Sequence, residues 1–147
     1  MRYVLFTFAG PERVADWEAM TVTQMEAEIA RVRAWFREHG QAGRIVGGEE
    51  LDAPSLARTV RKRGITDGPF IETKEMLGGF IIVEVESQAV ALEMARTWPG
   101  LVHDSDRVEV WPIGSTEAHA AEQNRVEERA GQHGTGHEEA GPRDAAG

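Results

Sequence analysis

The 147-residue chain predicts an α+β domain in which two helices lie on one face of a four-stranded sheet. Three features carry this class. Segments 2–9, 44–50, 80–86 and 107–113 have the apolar spacing of strands, and segments 23–39 and 88–98 have that of helices. Their order is β-α-β-(hairpin)-β-α-β, a split β-α-β arrangement. After Ile113 the chain holds no aromatic residue and, apart from Val126, no aliphatic one larger than Ala, so core-forming sequence ends there.

In the first strand, 2–9, Val4, Phe6 and Phe8 alternate with Tyr3, Leu5 and Thr7. Both sets are largely apolar, which predicts a strand covered on both faces. Gly10-Pro11 ends it, and Pro11 opens a short helical turn through Trp17. Thr23-Gln24-Met25-Glu26 fits a capping box at the start of the main helix. Met25, Ile29, Val32 and Phe36 form its apolar stripe, and His39-Gly40 stops it. The strand at 44–50 follows, then a short hairpin from Leu56 to Asp67 about Gly64. The strand at 80–86 puts Ile81, Val83 and Val85 on one face and Phe80, Ile82, Glu84 and Glu86 on the other. Ser87 caps a helix over 88–98, with Ala91, Met94, Ala95 and Trp98 on its apolar side, and Pro99 terminates it. Arg107–Ile113 is the last strand.

The tail, 114–147, contains six glycines, three of the five histidines, three basic residues and seven acidic ones. Such a segment cannot bury enough apolar surface to offset the ordering of its backbone, and it is expected to stay disordered. The folded part is therefore 1–113. Thr116–Ala130 has good helix formers with Gly131 as a stop, but no apolar stripe to dock it.

Charge and composition exclude several function classes. Sixteen basic residues against 25 acidic ones give a net charge of −9, which argues against nucleic acid and anionic membranes as partners. With no cysteine there is no disulfide, thiolate zinc site or thiol nucleophile. No apolar run approaches the roughly 20 residues of a membrane span, and no cleavage site follows the short alternating N-terminus. The expectation is a cytoplasmic protein with no cofactor. His133 and His137 have a metal-compatible spacing, but Gly134 and Gly136 undermine the helix it needs, and no metal site is assigned. Trp17, Trp35 and Trp98 are expected in the core or at an interface.

The outer face of the sheet points to assembly. Phe80, Ile82, Trp111 and Ile113 make it too apolar for water, yet no third helix exists to cover it. The same face of a second copy, related by two-fold symmetry, is the simplest cover. Glu84 and Glu109 would then line an inter-sheet cleft, with Tyr3 and Trp111 as walls.

The most informative stretch is Asp67-Gly68-Pro69-Phe70-Ile71-Glu72-Thr73-Lys74-Glu75-Met76-Leu77-Gly78-Gly79-Phe80. It opens on a sharp turn and closes on a glycine pair just before a buried strand. Two readings stand. Asp67 acts as general base or ligand acceptor at a cleft mouth with Lys74 as its charge partner, or Asp67 holds the turn through backbone N–H groups and the other charges are solvated. His103, between Asp104 and the last helix, is likewise a base at neutral pH or a surface-loop histidine.

This block resembles the signature of the DGPF branch of the YCII-related family. Gly47-Gly48-Glu49-x-Leu51 and Val108-Glu109-Val110-x-Pro112-Ile113 fit as well, so the resemblance covers about residues 2–113. It implies a ferredoxin-like fold that pairs as a dimeric α+β barrel, and a largely unassigned activity. Many such proteins are encoded near extracytoplasmic-function sigma factors. Related members carry a His–Asp dyad with the histidine on the first helix, whereas residues 23–38 here contain none. Trp111 stands where an arginine is usual, so a cation is expected to be missing from the cleft.

The sequence thus predicts a homodimer that binds or transforms a small molecule in the cleft at its interface. Asp67 and Glu84 are the candidate catalytic carboxylates. Tyr3, Glu49, Phe70, Glu72, Lys74, Glu109 and Trp111 are the candidate ligand contacts. The alternative is a noncatalytic module that docks a protein such as a transcription regulator. An enclosed pocket favours the first, and a filled cleft with an outer apolar patch favours the second.

Overall fold

A computed structural model describes residues 1–69, 75–114, 120 and 124–129. Phe70, Glu72, Lys74, His133 and His137 lie outside the described residues, as do Thr116 and Gly131. The chain divides into two compact units, Met1–Ile113 and Gly114–Gly147. In the second, residues 124–129 are helical.

The first unit runs β1 (Arg2–Ala9), α1 (Pro11–Ala19), α2 (Val22–Gln41), β2 (Ile45–Glu50), a 3-10 turn (Pro54–Leu56), β3 (Arg58–Arg61), β4 (Gly64–Asp67), β5 (Met76–Glu84), α3 (Gln88–Arg96) and β6 (Arg107–Pro112). The main sheet has the order β2-β5-β1-β6 with every pair antiparallel, which is the ferredoxin-like split β-α-β arrangement. β3 and β4 pair with each other as a separate two-stranded ribbon turned by Lys62 and Arg63, rather than about Gly64.

The helices cover one face of the sheet. Tyr3 and Leu5 of β1, Ile81 and Val83 of β5, and Val85 just beyond it pack with Trp35 of α2 and with Ala91, Met94 and Ala95 of α3. Tyr3 was expected to wall the outer cleft; instead it is 1% exposed in this core. Because β1 is apolar on both faces, its pattern could not say which face turns inward.

Several element boundaries differ from expectation. α2 is capped by Thr21, whose hydroxyl accepts from the Gln24 N–H while the Gln24 side chain accepts from the Thr21 N–H. Thr23, the expected cap, is inside the helix. Both threonines have a Glu or Gln three residues on, and the earlier one wins. His39 and Gly40 do not stop α2; it runs to Gln41, and Gly43 takes the left-handed conformation beyond it, at φ 69°. α3 ends at Arg96 rather than residue 98. β5 starts at Met76, so Gly78 and Gly79 are inside the strand. The pairing steps from Thr7–Gly79 to Phe8–Leu77, which makes Gly78 the extra residue of a β-bulge.

Candidate functional site

Side-chain volume tapers along the helix-facing side of the sheet, row by row. One cross-strand row is Tyr3, Val83 and Ile45; the next is Leu5, Ile81 and Gly48; the third is Thr7, Gly79 and Glu50. The large rows fill the layer beneath the helices, while the small residues of the later rows leave it unfilled. A cavity of about 710 Å³ lies there, within the roughly 300–1,000 Å³ range of small-molecule pockets. Thr7, Gly48 and Gly79 form its floor. Ile29, Val32 and Phe36 of α2 form one wall, Arg13, Val14 and Trp17 of α1 another, and Trp98 stands at one end.

This placement gives the apolar stripe of α2 a role different from the expected one. Ile29 and Phe36 remain 39% and 36% exposed, because they face the cavity. The helix is anchored by Trp35 and His39 instead. Trp35 donates from Nε1 to Thr97 Oγ1 at 3.0 Å and meets Trp98 edge-on, with ring centroids 5.1 Å apart.

Arg13 is the charged group most deeply placed in the cavity wall, with its side chain 7% exposed. Its Nη2 donates to Glu28 Oε2 at 2.5 Å, and Glu28 also pairs with Arg31. Burial pushes the Glu28 carboxyl up, but the two guanidinium groups outweigh it and hold the carboxyl below its usual range. Glu18, Glu49 and Glu50 also line the cavity, and all three are exposed.

The outer face of the sheet carries a second polar cluster. Arg107 pairs with Glu75 and Glu109, and its guanidinium lies 3.9 Å from the centre of the Phe8 ring. Trp111 Nε1 donates to Glu109 Oε2 at 3.0 Å. That bond, with Arg107, holds the Glu109 carboxyl below its usual range. This face therefore carries a cation, Arg107, four residues before Trp111, which stands where an arginine is usual. Glu84 is exposed at the end of β5.

Asp67 lies elsewhere. It is exposed at the end of β4 and pairs with Arg58 at 3.2 Å across the ribbon. The ribbon pairing continues beside it: the Gly68 N–H donates to Ala57 O, and Thr59 Oγ1 donates to Gly68 O. Of the sequence-derived site residues that are described, Glu49 alone lines the cavity.

The structure also joins two residues 87 positions apart: His103 Nε2 lies 2.6 Å from Asp16 Oδ2. The loop carrying His103 is fixed by Asp106, which accepts from the N–H groups of Gly10, Val102 and His103. The hydrogen bond to Asp16 raises the His103 pKa, with Asp106 and Glu12 adding to it. His103 is thus tied to α1 rather than free in a loop.

This pair predicts a pH dependence. The folded-state pKa of His103 lies above its ordinary 6.5, so the pair's stabilisation is complete below about pH 6.5 and is lost as pH rises through the raised value. Buried His39 is shifted down by desolvation, so its contribution runs the other way, being lost as pH falls through its lowered pKa. His103→Gln is expected to destabilise the protein most at mildly acidic pH and progressively less toward alkaline pH. Urea midpoints of both proteins across that range check this; a difference independent of pH would contradict it.

A model of the YCII-related domain matches residues 1–114. The chain belongs to the YCII-related family. An uncharacterised protein of Rhizobium meliloti (strain 1021) is 26% identical to this YCII-related chain over 117 residues, which is 77% of this chain and 92% of that protein. Among solved structures, it is similar to 5-chloro-2-hydroxyhydroquinone dehydrochlorinase (TftG) from Burkholderia phenoliruptrix AC1100 in complex with 2,5-dihydroxybenzoquinone. That match has a TM-score of 0.43 and 17% identity, covering 78% of this chain and 96% of the other. Among the described residues of this YCII-related protein, no helix is long and apolar enough to cross a membrane.

Proposed function

We propose that this protein binds or transforms a small molecule in the cavity between α1, α2 and the sheet. The observation that carries this reading is an apolar-walled space of about 710 Å³ with a buried guanidinium on its wall. It moves the ligand from the inter-sheet cleft expected from the sequence to the helix-covered side. Ligand-observed NMR with phenylacetamide, a neutral ring-sized probe, tests it. Saturation-transfer signals are expected from wild type and from Trp111→Ala, and are expected to weaken in Val32→Trp, whose larger side chain narrows the cavity beneath α2. Signals kept in Val32→Trp and lost in Trp111→Ala would move the site to the outer face.

The homodimer belongs to the same proposal. The outer face carries Val4, Phe6, Phe80 and Ile82, with Trp111 56% exposed, and a second copy's equivalent face covers it best. Asp67 and Glu84, neither of which lines the cavity, would meet a ligand only if that assembly brings one to them. Light scattering at micromolar concentration is expected to give a mass near twice 16.2 kDa. Trp111→Glu is expected to weaken the dimer by about a hundredfold or more, because it buries an unpaired carboxylate. A folded wild-type monomer would contradict the pairing. The exposed Trp111 also favours a second reading, in which this face docks another protein, such as a transcription regulator; a monomer that captures no ligand in the cavity would support it.

A further inference from the structure

We propose that the cavity selects a small organic anion, a monocarboxylate with a ring-sized apolar body, whose carboxylate is held by Arg13. This rests on the cavity reading above and names the class of ligand for the same site.

The charge arrangement around Arg13 is the reason. A guanidinium presents five N–H donors and has no accessible neutral form. Among the described residues Arg13 meets one carboxylate, Glu28, through Nη2 alone. The other contact of its guanidinium is with the ring of Trp17, 5.9 Å away. The remaining donors belong to a side chain that lines the cavity and face its open space, where water or a ligand can accept from them. A carboxylate that replaces water at these donors gains charge-assisted hydrogen bonds.

Glu28 does not balance this charge. It is shared between Arg13 and Arg31, so the three side chains carry a net charge of +1, although Arg31 is 54% exposed and its charge is screened by water. Arg33, another cation, also lines the cavity, but it is exposed, as the acidic lining residues are. A second carboxylate would neutralise the trio and would match the planar guanidinium fork with paired hydrogen bonds. The acidic residues of the lining, Glu18, Glu49 and Glu50, are exposed, so water and salt screen them; Arg13 is buried and is not screened in that way. The walls set the rest of the ligand. Trp17, Ile29, Val32, Phe36 and Trp98 offer apolar and aromatic surface and few further hydrogen-bonding groups, which suits a ring or a branched acyl body.

Calorimetric titration of the full chain with phenylacetate and with phenylacetamide, its neutral isostere, tests the proposal, with benzylamine as the cationic comparison. Wild type is expected to bind phenylacetate about tenfold or more tighter than phenylacetamide, and benzylamine most weakly. Arg13→Gln is expected to abolish the preference for the acid while keeping amide binding. Arg13→Lys keeps the charge and is expected to retain part of the preference; it also serves if the glutamine variant does not fold. Equal binding of acid and amide by wild type would overturn the role of Arg13 and leave the cavity reading standing. Tighter binding of benzylamine would overturn it in favour of the acidic lining. Binding of none of the three would overturn both the anion proposal and the cavity reading.

Discussion

Trp35→Ala is expected to cost about 3–5 kcal/mol of stability, the range for emptying a fully buried aromatic site. Trp35 is 4% exposed and ties α2 to the end of α3 through the hydrogen bond to Thr97 and the edge-on contact with Trp98. It also meets Phe36 and His39, with centroids 5.3 and 4.4 Å away. Removing the indole leaves a void, takes away the donor to Thr97 Oγ1, which keeps its own bond to Met94 O, and frees Trp98 and Phe36, both of which line the cavity. Urea denaturation followed by circular dichroism measures the loss. A cost under about 1 kcal/mol would mean that α2 is anchored elsewhere, because such small values are typical of surface substitutions.

Gly79→Val is expected to be comparably severe for a different reason. A Cβ at Gly79 would lie 2.6 Å from Glu49 O and 3.3 Å from Glu50 Cα, and backbone in a paired strand cannot give way as a flexible side chain can. The β2–β5 ladder must open, at a cost of about 3 kcal/mol or more, which belongs to the large class of point-mutation effects. Gly40→Ala in α2 is the contrasting control. Nothing lies within 4 Å of the Cβ it would add, so it should stabilise the helix by about 0.5–1 kcal/mol. Hydrogen exchange of β2 amides, read beside the urea midpoints, distinguishes an opened edge strand from uniform destabilisation. Protection of β2 retained in Gly79→Val would show that the two strands do not depend on this close approach.

The strands and helices were legible because their signals are local. Ser87 and Pro99 bracket α3, and the aliphatic alternation at Ile81, Val83 and Val85 marks the buried face of β5. The cavity was not legible, because it is an absence of volume. Thr7, Gly48 and Gly79 look like ordinary small residues until pairing brings them beneath α2. The stripe Met25, Ile29, Val32 and Phe36 has core periodicity, and periodicity alone does not distinguish a filled core from the wall of a pocket. The Asp16–His103 pair joins residues too distant in sequence to leave a local signal. Arg107 was legible on this face: stepping by two along β6 from Trp111 through Glu109 reaches it, four residues before the position where an arginine is usual.

The central claim is that small molecules bind beneath α2 rather than against the outer face of the sheet. Amide chemical-shift mapping during titration with phenylacetate tests it most directly. Binding in the cavity shifts Thr7, Gly48 and Gly79 together with Ile29 and Phe36, and leaves the Trp111 indole and the Val4 amide nearly still. Shifts centred on Trp111, Val4 and Ile82, with the glycine floor unmoved, would contradict the claim and return the ligand to the space between two sheets.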